Sequence, residues 1–344
     1  MSDMASNAIL AKARAMYGKC LTDHDYKQLM DCRNVSEVAS YLKTRTNYKS
    51  VLAGLNENEV HRGQLEPMLR QNLYYDISAL SRYAKDKTLV FSDFIISEME
   101  IEQIIRSLTL VNIGRADEYV FSLPMTMTKF AKIDLKEFST VRSYDDMLSV
   151  LSGTKYAQIL EKHRPPEGKR ADIATIEAQL NNNNYGIVME AIEKAKNVGD
   201  RDELRSTFSA MLDFRNISRI IRLKKYYNFS AEQIKPLLIP YGRLSQRNID
   251  ELCAASNSRE VFELSRSTYL GRLMSKLKYN DQSQMASAML SMYCKHHLRL
   301  SPNPTIVMIS YVYLKEIELS NIVNIIESTR YDLSPEEKSA LLVR

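Results

Sequence analysis

Few residues of this 344-residue chain have the types and spacing that chemistry requires. The group closest to a metal site is Cys294, His296 and His297, while the remaining three histidines lie singly at distant positions. A structural or catalytic zinc ion needs three or four convergent ligands. We therefore interpret the Cys-Lys-His-His segment as a polar helix face and predict no metal site.

Signatures of phosphate binding and of catalysis are also incomplete. Residues 152–155 and 166–169 place glycine near lysine, but both lack the first glycine and the Lys-Ser/Thr ending of a phosphate-binding loop. The paired carboxylates Asp145 and Asp146 fit the first turn of a helix, where the helix dipole favours them. We predict no catalytic residues and no cofactor, hence a protein that is not an enzyme.

One basic segment is a candidate partner interface. Residues 215–225 contain no acidic residue and five basic ones: Arg215, Arg219, Arg222, Lys224 and Lys225. The three arginines share one helix face, because they are spaced i, i+4 and i+7. A solvated face is the simpler interpretation, and docking of an acidic or helical partner is the functional one. Nucleic acid is disfavoured, because only one tyrosine pair interrupts the basic residues.

Composition sets the fold class. The chain has only 10 glycines, which argues against nucleotide-binding loops and turn-rich β folds. The net charge of +5 is too small for a nucleic-acid coat, and four cysteines without a CxxC pair indicate a reducing, cytoplasmic setting. The longest apolar stretch, residues 305–314, is shorter than the roughly 20 residues of a membrane span. Apolar residues at helical spacing then predict an all-α protein without a membrane span.

An internal triplication organises these helices. Three capped helix starts, at Asn34, Ser143 and Asn257, are each followed by a tyrosine, and these tyrosines are Tyr48, Tyr156 and Tyr269. An acid-x-x-amide-Ile pattern recurs in the same phase from Glu100, Asp213 and Glu318. Residues 227–239 also match residues 331–343. We predict three similar helical subdomains, at residues 1–120, 121–229 and 230–344, arranged as a pseudo-threefold funnel, with a linear solenoid as the alternative.

These motifs resemble the C subunit of prokaryotic rotary A/V-type ATPases, a member of the AC39 family. The resemblance covers essentially the whole chain and rests on the order and spacing of diffuse motifs. It is carried by Asn7-Ala-Ile-Leu-Ala-Lys-Ala-Arg-Ala-Met16, Leu21-Thr-Asp-His-Asp-Tyr26, Val35-Ser-Glu-Val-Ala-Ser-Tyr-Leu42, Pro302-Asn-Pro-Thr-Ile306 and Tyr313-Leu-Lys-Glu-Ile-Glu318. The glycine-rich N-terminal pattern associated with the eukaryotic vacuolar relative is absent.

The resemblance implies a non-catalytic rotor subunit. Such a funnel binds the central shaft, made of the coiled-coil D subunit and possibly the F subunit, on one side. On the other it binds the proteolipid ring, at the cytoplasmic face of the membrane, so that ATP hydrolysis or synthesis is coupled to proton or sodium transport. The alternative is a helical scaffold or adaptor with an unrelated partner. Within the rotor interpretation, the face of Arg215, Arg219 and Arg222 is the predicted shaft contact.

Overall fold

The computed structural model describes residues 2–56, 62–83, 87–122, 127–195, 197–271 and 282–343. Within these ranges the regular structure is helical and includes no strand, which confirms the all-α prediction. No helix in the described ranges combines the length and apolarity needed to cross a bilayer. The helices are α1 (Ser2–Tyr17), α2 (Asp23–Asp31), α3 (Val35–Arg45), α4 (Arg62–Ser81), α5 (Lys87–Asn112), α6 (Tyr119–Ser122), α7 (Tyr144–Val150), α8 (Lys155–Lys162), α9 (Ile173–Glu193), α10 (Val198–Arg222), α11 (Ala231–Ile234), α12 (Gln246–Ala254), α13 (Ser258–Arg266), α14 (Gln282–Leu300), α15 (Pro304–Arg330) and α16 (Pro335–Ala340).

The repeated caps form as the sequence predicts. The side chains of Asn34, Ser143 and Asn257 each accept the backbone N–H three residues later, at 2.9, 3.1 and 3.1 Å. Each bond satisfies one of the four N–H groups that the first turn of a helix leaves without a partner. The three caps therefore fix where α3, α7 and α13 begin.

Three long helices each contribute to a different hydrophobic core. The isoleucine stripes of α5, α10 and α15 are buried in three separate clusters, apart from the partly buried Ile105. The core around α15 also takes residues from α1 to α4, so the two ends of the chain share one core. Burial of these stripes supplies the main favourable energy of folding.

A buried carboxylate on each of these helices accepts a tyrosine hydroxyl. Tyr156 donates to Glu100 at 2.6 Å and Tyr269 donates to Asp213 at 2.6 Å. The third pair, Tyr48 and Glu318 at 2.8 Å, connects the beginning of the chain to its end. The acid motif and the cap motif of the sequence thus meet three times, in cyclic order. Tyr48 belongs to the core that the two ends of the chain share, so this pair forms within one core, and the funnel and the solenoid both stay predictions.

Backbone N–H groups also donate to each carboxylate, although Asp213 Oδ1 accepts no hydrogen bond. Lys132 donates its N–H to Glu100, Leu21 donates to Glu318, and the loop after α11 donates two N–H groups to Asp213. That loop passes so close that a Cβ at Gly242 would lie 1.9 Å from Asp213 Oδ1. A buried carboxylate needs such donors, because burial removes its hydration shell.

A cation also lies over each of the three tyrosine rings. Lys315 Nζ is 4.3 Å from the ring centre of Tyr48, and it also donates to Glu318 at 2.6 Å. Lys155 Nζ is 5.1 Å from the ring centre of Tyr156, and the Arg243 guanidinium is 4.5 Å from that of Tyr269. These cations come from different positions of the repeat, so each unit uses a different residue to offset the negative charge of its carboxylate.

The amide of the same motif fixes a later segment in two repeats. Asn216 exchanges two hydrogen bonds with the backbone of Ile239, at 2.8 and 2.9 Å. Asn321 makes the same pair with Val343, at 2.7 and 2.9 Å. The two segments that match in sequence, 227–239 and 331–343, therefore end on equivalent contacts. The subdomain boundaries near residues 120 and 230 stay predictions.

The acid–tyrosine contacts should each stabilise the fold. We expect Tyr48→Phe, Tyr156→Phe and Tyr269→Phe to lower the free energy of unfolding by about 1–3 kcal/mol each, because a buried carboxylate loses a donor. Urea unfolding monitored by circular dichroism measures this change. The exposed Tyr226→Phe serves as the control, with an expected change below about 0.5 kcal/mol. Equal, small effects at all four positions would contradict a structural role for the contacts.

Candidate functional site

Two clefts lie against the repeat helices. The first has a volume of about 440 Å³ and is lined chiefly by α5, α9 and α10. The second has a volume of about 390 Å³ and is lined by α4, α5 and α15. Glu102 lines both, so the two clefts adjoin at α5.

Equivalent positions of the three repeats line these clefts. Glu102, Arg215 and Ser320 each lie two residues beyond the acid of their repeat, and all three are lining residues. The same holds five residues beyond the acid, where the repeats place Ile105, Ser218 and Val323. The same helix face of each repeat therefore contributes to the pair of clefts.

Arg215 is one of two predicted interface residues that are largely enclosed. Its guanidinium donates to Glu98 at 2.5 Å and to the hydroxyl of Tyr185, and it lies 4.5 Å from the ring centre of Tyr313. Glu316 is 3.8 Å away. Its side chain is only 26% exposed, so Arg215 is committed to contacts within the chain.

Arg219 is likewise held inside the fold. It donates to the backbone carbonyl of Leu237 and lies 3.7 Å from Glu177 of α9. Burial lowers the pKa of Arg219, and the neighbouring cations Arg222 and Arg215 lower it further, while Glu177 raises it. The segment that contains no acid in sequence thus receives acids from other helices in space. The expectation that the arginines form a solvated face is therefore wrong for Arg215 and Arg219.

The remaining three basic residues differ in their relation to the first cleft, because Arg222 lines it and Lys224 and Lys225 do not. Arg222 is exposed at the edge of the first cleft, Lys224 is half-buried, and Lys225 is exposed. Lys225 Nζ lies 5.3 Å from the ring centre of Tyr226. The five residues do not share one surface, and whether they bind a partner stays a prediction.

Two acids of the clefts, Glu98 and Glu316, were not singled out by the sequence, whereas Glu102 was predicted to be the equivalent of Arg215. Glu98 and Glu102 of α5 and Glu316 of α15 surround Arg215, although each lies about 100 residues from it along the chain. Desolvation in the cleft raises the pKa of Glu316 to about 7, with Glu98 adding to the shift and Arg215 opposing it. Alignment of the repeats points to this part of α5, because Glu102 occupies in its repeat the position that Arg215 occupies in the next.

The histidine pair packs against aromatic groups. The ring of His297 lies 4.5 Å from that of Tyr293, and burial lowers the pKa of His297 to about 4. Cys294, the third member of the group, is buried. In the part of the chain that the structure describes, no three His, Cys, Asp or Glu residues are grouped to hold a metal ion.

The enclosure of Arg215 predicts a loss of stability when its charge is removed. Arg215→Gln should lower the free energy of unfolding by about 2–3 kcal/mol, because Glu98 would remain partly buried without its cation. Arg222→Gln should change it by less than about 0.5 kcal/mol, since Arg222 is exposed. Chemical denaturation of both variants measures the difference. Equal changes in the two variants would show that the contacts of Arg215 do not stabilise the fold.

The raised pKa of Glu316 predicts a pH dependence of stability. Between about pH 4.5 and 7 the folded state holds a proton at Glu316 that the unfolded chain has lost, so stability falls as the pH rises. Glu316→Gln should flatten this slope by roughly 1 kcal/mol, a value reduced because the side chain is 38% exposed. Unfolding at pH 5 and pH 8 measures it, with the exposed Glu167→Gln matching the change in charge. An unaltered slope in Glu316→Gln would contradict the shift.

Comparisons with known proteins identify the family of this chain. The ATP synthase (C/AC39) subunit family matches residues 9–340, which confirms the resemblance found in the sequence. The chain is 23% identical over 338 residues to the C subunit of the A-type ATP synthase of Methanosphaera stadtmanae, covering 95% of this chain and 85% of that protein. It is 24% identical over 340 residues to the protein of that name from Methanobrevibacter smithii, with coverages of 95% and 85%. Because the family match extends over nearly the whole sequence, the chain belongs to the ATP synthase (C/AC39) subunit family.

Proposed function

We propose that this chain is a non-catalytic rotor subunit of an A/V-type ATP synthase, a socket between the central shaft and the membrane ring. The observation that carries the proposal is the presentation of one equivalent helix face per repeat to adjoining clefts. The contact between Tyr48 and Glu318 joins the beginning of the chain to its last long helix. This arrangement supports a pseudo-threefold funnel that receives a single shaft.

The lining of the clefts suits a joint that must resist twisting. A purely apolar socket can slip around its axis, whereas charged groups at fixed positions give register and steer docking. The three repeats present different groups at the equivalent position, namely Glu102, Arg215 and Ser320. Such asymmetry fits a shaft that lacks threefold symmetry.

The partners follow from the family. The shaft would comprise the coiled-coil D subunit, possibly with the F subunit, and the opposite side would rest on the proteolipid ring at the cytoplasmic face of the membrane. Attachment as a peripheral subunit, through protein surfaces, agrees with the absence of a spanning helix from the described residues. In this position the subunit transmits rotation and so couples ATP hydrolysis or synthesis to proton or sodium transport.

Co-purification from native membranes tests this function. We expect a tagged chain to recover the shaft and ring subunits and to leave the membrane in high salt without detergent, because its attachment is polar and peripheral. Mass spectrometry of the recovered complex identifies the partners. Recovery of an unrelated complex instead would favour the scaffold or adaptor, and saturable nucleotide binding by the chain alone would also count against the rotor.

A charge reversal at Arg222 tests directly whether the first cleft binds the shaft. Arg222→Glu should weaken binding of the purified shaft subunits several-fold at low salt, and the difference should shrink at high salt. Arg247→Glu is the matched control, because Arg247 is 86% exposed on α12 and the change in charge is equal. Equal shaft affinity for the two variants would remove Arg222 from the socket.

A further inference from the structure

The three repeat helices end in the same kind of turn. Gly114, Asn228 and Asp332 follow α5, α10 and α15, and all three adopt positive φ angles, 72°, 50° and 52°. The preceding residue is apolar or aromatic and exposed in every case, at 50% for Ile113, 62% for Tyr227 and 71% for Tyr331. An exposed residue at this position is thus a shared feature of the repeat.

The turn after α10 is longer than the other two by a single residue. Gly114 and Asp332 lie at the same distance along the chain from the acids of their repeats, Glu100 and Glu318. Asn228 lies one position further from its own acid, Asp213. A π-helical turn at Leu223–Tyr227 accommodates the extra residue.

This π turn also exposes a second aromatic side chain. Single π turns often arise at functional sites. Tyr226, within the turn, is 63% exposed, and the adjacent Tyr227 is 62% exposed. Two consecutive tyrosines are therefore exposed after α10, and the ring centre of Tyr227 lies 5.8 Å from that of Phe229.

The same turn carries an excess of positive charge. Residues 222–230 contain Arg222, Lys224 and Lys225 but no acid. Backbone and side-chain hydrogen bonds chiefly lower the pKa values of Glu232 and Glu260, and the charge of Lys224 adds to both shifts, so both acids lie near this lysine.

We propose that this basic aromatic turn, residues 222–229, binds the anionic headgroup surface of a lipid bilayer. Four consecutive residues, 225–228, are exposed, so they are accessible to a flat surface. Tyrosines with an apolar ring and a polar hydroxyl are typical of the membrane–water interface. Flanking lysines and arginines are attracted to anionic lipids.

This contact goes beyond the proposed function, since a socket between shaft and ring requires no lipid. It explains why the second repeat alone combines the inserted residue, the second exposed tyrosine and a basic segment without acids. An acidic protein segment would also satisfy the charges, and tyrosines are frequent in protein interfaces as well, so the test below distinguishes such a segment from a bilayer.

Flotation of the full chain with vesicles tests the proposal. At low salt the wild-type chain should float with mixed vesicles of phosphatidylcholine and the anionic phosphatidylglycerol, in a ratio of about two to one, and not with pure phosphatidylcholine. Lys224→Gln/Lys225→Gln should reduce the apparent partition coefficient about tenfold, because each cation contributes separately to attraction by the anionic surface. The control Lys162→Gln/Lys169→Gln makes the same change in charge at exposed positions elsewhere and should leave binding unchanged.

Two matched tyrosine variants test the contribution of the aromatic side chains to vesicle binding. Tyr226→Ser should weaken flotation several-fold, whereas Tyr331→Ser should not, although both tyrosines are exposed beside equivalent turns. Thermal melting monitored by circular dichroism should be unchanged in both, which separates lipid binding from folding.

Three outcomes would overturn the proposal. These are equal binding to neutral and anionic vesicles, equal losses in the two tyrosine variants, and binding of soluble polyglutamate in place of vesicles. The last would favour an acidic protein partner. Co-purification with shaft and ring subunits is a separate measurement, so the lipid contact and the rotor assignment fail independently.

Discussion

The fold depends on one buried interaction made three times, the hydrogen bond from a tyrosine hydroxyl to a carboxylate of a repeat helix. A carboxylate inside a helical core is unfavourable unless donors and a cation surround it, so every element that supplies them must arrive at the correct place. For Glu318 these are Tyr48, Lys315 and the N–H of Leu21, which come from both ends of the chain. The chain therefore cannot complete its third unit until its first segment has folded against its last helix.

The sequence predicted the helices and the repeat correctly for local reasons. Caps such as Asn34 and stripes such as Ile322 to Ile326 depend on residues three or four positions apart, and such patterns survive in any tertiary setting. The partners of a repeated residue could not be predicted in the same way. Spacing alone did not show that the tyrosine of one capped helix meets the acid of another repeat, and least of all that Tyr48 meets Glu318.

The surroundings of the candidate interface could not be predicted from the sequence for a related reason. The segment around Arg215 contains no acid, so a solvated face was its simpler interpretation, yet α5 and α15 place Glu98 and Glu316 beside it. A run of basic residues describes the charge of one helix only, whereas the burial of its side chains depends on the residues of the neighbouring helices. Register would have given a better guide, because Glu102 and Arg215 are equivalent residues of opposite charge that line the same cleft.

The three units meet one requirement with different residues, and this bears on how the clefts diverged. The cation that balances the carboxylate is Lys155 in one unit, Arg243 in another and Lys315 in the third, from three different elements. Each unit thus needs a positive charge near its buried carboxylate, but the cation can come from different positions in the sequence. Cleft residues are bound by no such internal requirement where they face solvent. Their differences among repeats can therefore follow an asymmetric partner without weakening the cores beneath them.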